Sequence, residues 1–198
     1  RYGGIAPTAP GCRDFALQAD PRPAGELQAL VFGDPQPKTA VDVDYYRRDI
    51  VADAKARKPE GTALGLTLGD VVNDDLSLYP AMNRATASLD LPWLHAPGNH
   101  DLDFDARRDE DSLLSFRNVF GPDTYAWEEH EAAFIVLDDV IYRPGQRPAY
   151  VGGLREDQFA FLAAYLPTLP RDRLLVLAAH IPFFDTKPGE ETFRSADR

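Results

Sequence analysis

Four apolar runs in this chain each end on residues that can bind a cation or move a proton. Leu30-Val31-Phe32 leads into Gly33-Asp34-Pro35-Gln36, and Leu64 to Leu68 into Gly69-Asp70. Trp93-Leu94 precedes Gly98-Asn99-His100-Asp101, and Leu174 to Ala179 ends on His180. Short apolar runs bounded by glycine, proline and acidic residues read as buried strands. In open α/β sheets, ligands bind outside the C-terminal ends of the strands. Carboxylates, amides and imidazoles delivered to that one edge are the makings of a metal site. The pattern therefore predicts a layered α/β fold with a polar crevice along a sheet edge.

The intervening segments fit that expectation. Asp42 to Lys58 carries Val43, Tyr46, Ile50, Val51 and Ala54 at helical spacing, and Pro59-Glu60-Gly61 ends the pattern. Leu76 to Leu89 and Asp109 to Val119 are also read as helices, the first with Pro80 near its start. Ala63 to Leu68 is almost continuously apolar, as parallel strands buried on both faces are. Beyond residue 120 the pattern changes. Thr124 to Trp127 and Ala132 to Leu137 are expected to form a hairpin, with Val140 to Tyr142 extending it. Arg143 to Gly153 reads as a loop, Leu154 to Leu166 as a helix, and Leu174 to Ala179 as a final buried strand. Residues 1–28, with Pro7, Pro10, Pro21 and Pro23, read as an extended lead-in or linker, leaving 29–198 as one domain.

Composition narrows the function. The net charge of −11 argues against nucleic acid or an anionic membrane surface as a partner. No run approaches the 18 or more apolar residues of a membrane span. Cys12 is the only cysteine, so neither an intrachain disulfide nor a thiolate metal cluster can form. The chain begins without Met or a signal-peptide pattern and ends within what reads as the start of a helix, Glu190 to Arg198; it is expected to be a piece of something longer.

Asp34 and Gln36, two apart past a strand, would point into one crevice if the chain stayed extended. A strand-ending turn explains the same residues, since Asp and Pro are common there. Asp70 invites a metal, or a role at the next helix, whose cap is expected within Asn73-Asp74-Asp75. In Gly98-Asn99-His100-Asp101, Asn99 supplies a carbonyl ligand, His100 a proton, and Asp101 the acid that orients the imidazole. His180 arrives at an edge already holding such groups. His95 and His130 are weaker candidates, and Asp138 is read as support behind the site. Arg107, Arg108, Arg143 and Arg147 lie on loops that could meet phosphate, although solvated surface is the commoner fate of arginines.

Taken in order, these motifs resemble the calcineurin-like metallophosphoesterase family, whose pattern is Asp-x-His, Gly-Asp, Gly-Asn-His-Asp/Glu, a lone His and then Gly-His-x-His. The resemblance runs from Asp34 through His180. It implies a β-sandwich flanked by helices, with two divalent ions drawn from Mn, Fe, Zn, Ca or Mg. Asp34 and Gln36 would hold the first ion, Asp70 would bridge, and Asn99 and His180 would hold the second. His100 would be catalytic, held by Asp101. The implied activity is hydrolysis of a small phosphorylated substrate, a mono- or diester. The alternative is a non-catalytic protein-binding module on the same fold.

Two departures matter. The first motif here is Asp-Pro-Gln, as in a bacterial subgroup, and Gln is a neutral oxygen ligand where the family uses imidazole. Gly-His-x-His is absent, because His95, His100, His130 and His180 are the only histidines. Its place is expected past Arg198, so the catalytic domain is read as incomplete at its C-terminus. Relatives of the Asp-Pro-Gln type are often exported with an additional N-terminal β domain, so the resemblance implies a periplasmic or secreted protein.

Overall fold

The computed structural model describes residues 27–129 and 132–184. Most of the expected lead-in, Cys12, His130 and the helix start at 190–198 lie outside the described residues.

The first three strands, β1 (Ala29–Phe32), β2 (Leu64–Leu68) and β3 (Trp93–Ala96), pair in parallel in the order β1-β2-β3. Parallel neighbours need crossovers, and helices supply them. The β1–β2 crossover is one continuous helical stretch, 40–57: α1 (Ala40–Tyr45), a π-helical segment (Tyr46–Val51) and α2 (Ala52–Arg57). It starts two residues earlier than expected because Thr39 and Asp42 form a capping box. Asp42 Oδ2 accepts the Thr39 N–H at 2.9 Å, and Thr39 Oγ1 accepts the Asp42 N–H. The β2–β3 crossover is a short 3₁₀ turn and α3 (Tyr79–Ala87). Asp75 caps that turn by accepting the Ser77 N–H, as the acidic cluster predicted. These helices pack with α4 (Leu114–Phe120) around fully buried Tyr79, Met82, Leu89, Leu113 and Phe116. Truncating a buried aromatic such as Phe116 to alanine costs about 3–5 kcal/mol.

A second sheet has the order β4-β5-β8. The expected hairpin, β4 (Tyr125–Glu129) and β5 (Ala132–Val136), is antiparallel, and β8 (Leu174–Ala178) adds parallel to β5. Leu66 and Ala96 of the first sheet share a core with Val136 and Ala178 of the second. On the far side, Ile135 and Leu137 pack against Leu154, and against Phe159 and Leu162 of α5 (Glu156–Tyr165). The domain is thus mixed α/β, with two three-stranded sheets in contact and helices outside them.

Two expectations are corrected. Val140–Tyr142 does not extend the hairpin. It is β6, paired antiparallel with β7 (Tyr150–Gly152), which falls inside the stretch read as a loop. The last strand is not buried either. Leu174 is 63% exposed and Leu177 47%, because β8 is an edge strand among the described residues. An apolar run reports affinity for a core, not which neighbour provides one.

Candidate metal centre

The C-terminal ends of β1, β2, β3 and β8 open onto one crevice. Asp34, Asp70 and His180 each turn a ligand atom into it, and these atoms lie within 4.8 Å of one another. His180 Nε2 is 3.4 Å from Asp70 Oδ1, and its Nδ1 is 3.7 Å from Asp34 Oδ1. Asn99 Oδ1 stands 3.1 Å from His180 Nε2, and the Gln36 amide Nε2 donates to Asp70 Oδ2. All five expected ligand groups therefore meet at one edge.

The backbone there is strained. Among the described residues, five non-glycine residues have positive φ, and four of them are Asp34 (44°), Gln36 (41°), Asp70 (48°) and Asp74 (65°). Left-handed backbone is uncommon outside glycine and concentrates at functional sites. The expected extended path through Asp34 and Gln36 is replaced by two left-handed residues either side of Pro35. The Gln36 N–H donates to the Asp70 carbonyl at 3.0 Å, which locks this turn to the next loop.

Two of the three motif glycines, Gly69 and Gly98, have a steric reason. A Cβ on Gly69 would lie 2.5 Å from His180 Nδ1, and φ there is +82°. A Cβ on Gly98 would lie 2.2 Å from Asp70 Oδ1. Only glycine lets these loops close on the ligand atoms.

Asp70 is buried at 2% exposure. Burial works to raise its pKa, but His180, the His100 N–H at 2.9 Å and Gln36 outweigh that and hold the carboxyl below its usual range. His180 shows the converse balance. Burial would lower its pKa, but the Asp70 carboxylate prevails and lifts it to about 9. Its Nδ1–H donates to the Leu68 carbonyl at 2.9 Å, which leaves Nε2 facing Asp70 and Asn99. A buried carboxylate, with a second carboxylate, an imidazole and the Asn99 amide oxygen nearby, suits a divalent cation. The residues present fit such an ion. Asp34, Asp70 and His180, which the resemblance divides between a first ion, a bridge and a second ion, line a single pocket.

The expected role of Asp101 is corrected. Its carboxylate does not orient the His100 imidazole; it is fully buried and ties two loops together. It accepts the Gly98 and Val71 N–H groups at 2.8 and 3.1 Å and the Tyr79 hydroxyl at 3.0 Å. Burial raises its pKa to about 7 against the pull of those N–H donors. The residue that meets His100 is Asp74, whose Oδ1 lies 2.8 Å from Nδ1. Sequence reading had assigned Asp74 only to a helix cap. Its second signal, a left-handed φ that aims the side chain back across the crevice, is not written in residue type.

Other candidates settle away from the crevice. His95 is buried against Phe120, with ring centroids 4.1 Å apart. Asp138 pairs with Arg155 Nη1 at 2.5 Å instead of backing a ligand. Asp103 is buried and accepts the Ser115 N–H and hydroxyl. Arg108 is held by Asp111, and Arg143 donates to the Pro148 carbonyl. A cavity of about 580 Å³ beside Asp34 is lined by Tyr45, Tyr46 and Ile50 together with Asp34, Asp42 and Asp49. Its acidic lining repels an anionic group.

No protein-family model matches the chain, and no curated protein matches it.

Proposed function

We propose that this domain is a metal-dependent phosphoric ester hydrolase of the calcineurin-like metallophosphoesterase type. The observation that carries the reading is the convergence of Asp34, Asp70 and His180, with Asn99 and Gln36 alongside and His100 at the rim. The two sheets in contact, with helices outside them, accord with the sandwich that the resemblance implies.

Asp70 would take the central ligand position, being buried and held ionised. Asp34 and Gln36 would serve one ion, and Asn99 and His180 a second. When bound, such ions activate a water near neutral pH and offset charge on phosphate oxygens. The chain's own contribution is proton management. Asp74 accepts from His100 Nδ1–H, which orients the ring and points Nε2 outward. With a second proton on Nε2, His100 would act as an imidazolium, its charge offset by Asp74, and donate that Nε2 proton to the departing alkoxide. Asp101, by tying Gly98 to Val71, keeps the two loops in register so that His100 N–H reaches Asp70.

The test is metal analysis of the full-length protein together with hydrolysis of aryl phosphate mono- and diesters. Bound divalent metal and chelator-sensitive turnover are expected, and the preferred ester would define the substrate class. A folded full-length protein with neither would favour the protein-binding alternative.

A further inference from the structure

We infer that Asp139 is the residue that positions His180, acting as a two-pronged clamp on the backbone where the chain leaves β8. The inference rests on the metal-centre reading above. Asp139 lies in the link between β5 and β6, beside the C-terminal end of β8, and is fully buried. Its Oδ1 accepts the His180 N–H at 3.2 Å, and its Oδ2 accepts the Ile181 N–H at 2.9 Å. Its own carbonyl accepts the Gly153 N–H at 2.9 Å, so the clamp is itself anchored to the segment after β7.

These two N–H groups stand just past the β5–β8 pairing, which the Leu137 N–H closes on the Ala178 carbonyl at 3.0 Å. Beyond that point the ladder no longer dictates the path of the chain. Two consecutive N–H groups need two acceptor oxygens, and an ionised carboxylate supplies them without bringing a donor. The neighbouring Asp138 could not serve, because its carboxylate is committed to Arg155 and to the Val140 N–H.

The division of labour around His180 follows. Leu68 fixes the ring by accepting from Nδ1, and Gly69 gives the ring room to lie against its backbone. Asp139 fixes the backbone from which the ring hangs. A ligand that must meet both Asn99 and Asp70 tolerates little displacement of its Cα, since sites function within about 0.5 Å of their productive geometry. Losing such a supporting partner typically lowers metal affinity about 10–100-fold.

The experiment is a calorimetric titration of Mn²⁺ alone into the full-length wild type and into Asp139→Asn, His180→Ala and the double variant. Asparagine keeps the size of the side chain but offers one acceptor and opposes a donor to the second N–H. About 10–100-fold weaker affinity is expected for a folded Asp139→Asn, with the double variant no weaker than His180→Ala. Unchanged affinity in a folded Asp139→Asn overturns the proposal, as does a loss that adds fully to that of His180→Ala. If the variant does not fold, amide exchange in the wild type decides. Slow exchange at both His180 and Ile181 supports the clamp, and fast exchange at both overturns it. Wild type that binds no Mn²⁺ would sink the metal-centre reading, an outcome distinct from the loss of Asp139's role alone.

Discussion

The inner and outer halves of the crevice are built differently. On the inner side, Asp70, Asn99 and His180 are buried or nearly so, and each is held by loops from other strands. On the outer side, the Asp34 side chain is 62% exposed, and His100 and Asp74 face solvent together. The difference matches the two tasks proposed. Ligands that set an ion's position gain from a rigid, desolvated wall, where charge interactions are least screened. A proton donor has to meet substrate and so sits at an open rim. Variants of the two halves should therefore fail in different ways.

The largest effect is expected for Asp70→Ala. It removes the central carboxylate, so metal content should collapse, and turnover should fall by more than the ~10²–10³-fold typical of losing one transition-state group. Metal analysis and steady-state kinetics check this together. His100→Ala should cut kcat by about 10²–10⁴-fold while metal content stays at the wild-type level. Equal metal loss in both variants would erase the distinction between wall and rim. Asp74→Ala is expected to lower kcat by roughly 10-fold with KM and metal content little changed, since it removes only the group that orients the imidazole.

Acidity gives a sharper test of the inner half. His180 is held up at about 9, so at neutral pH it carries a proton that a metal ion must displace. Metal affinity should therefore rise with pH from 7 towards 9. Titrations in buffers of different ionisation enthalpy should report release of about one proton as the site fills at pH 7. No proton release would mean that His180 does not ligate.

The smallest effect concerns His95, which lies outside the crevice. Burial depresses its pKa from 6.5 to about 3, so the folded state keeps it neutral while the unfolded chain takes up a proton. Stability from this group is complete above pH 6.5 and is lost as pH falls from there towards 3. His95→Phe should consequently lose less melting temperature than wild type between pH 7 and pH 5. An identical loss would show that His95 is not the group responsible.

Much of this arrangement was legible in the sequence for a simple reason. Residues that end strands are placed by strand direction, and the apolar runs before Asp34, Asp70, Asn99 and His180 gave that direction. What was not legible depends on dihedral angles and on contacts across loops. Residue type places Asp101 next to His100, but the 3₁₀ turn over Asn99–Asp101 sends its carboxylate back to Gly98 and on to Val71. Asp74 lies 26 residues from His100 and meets it only because both loops fold over one edge. Asp138 and Asp139 are adjacent and identical in type, yet one pairs with Arg155 and the other with the backbone at His180. Alternation along an extended chain sends neighbours to opposite sides, and sequence alone does not say which side holds the site. The pairing of β6 with β7 was missed because three-residue strands carry too little pattern to separate from a proline- and glycine-rich loop.

The most direct test of the account is a titration of Mn²⁺ into wild type and Asp70→Ala at pH 7, followed by calorimetry. The account predicts saturable binding to wild type with release of about one proton, and loss of that binding in a folded Asp70→Ala. Equal affinity in the two proteins, or no binding to a folded wild type, would contradict it.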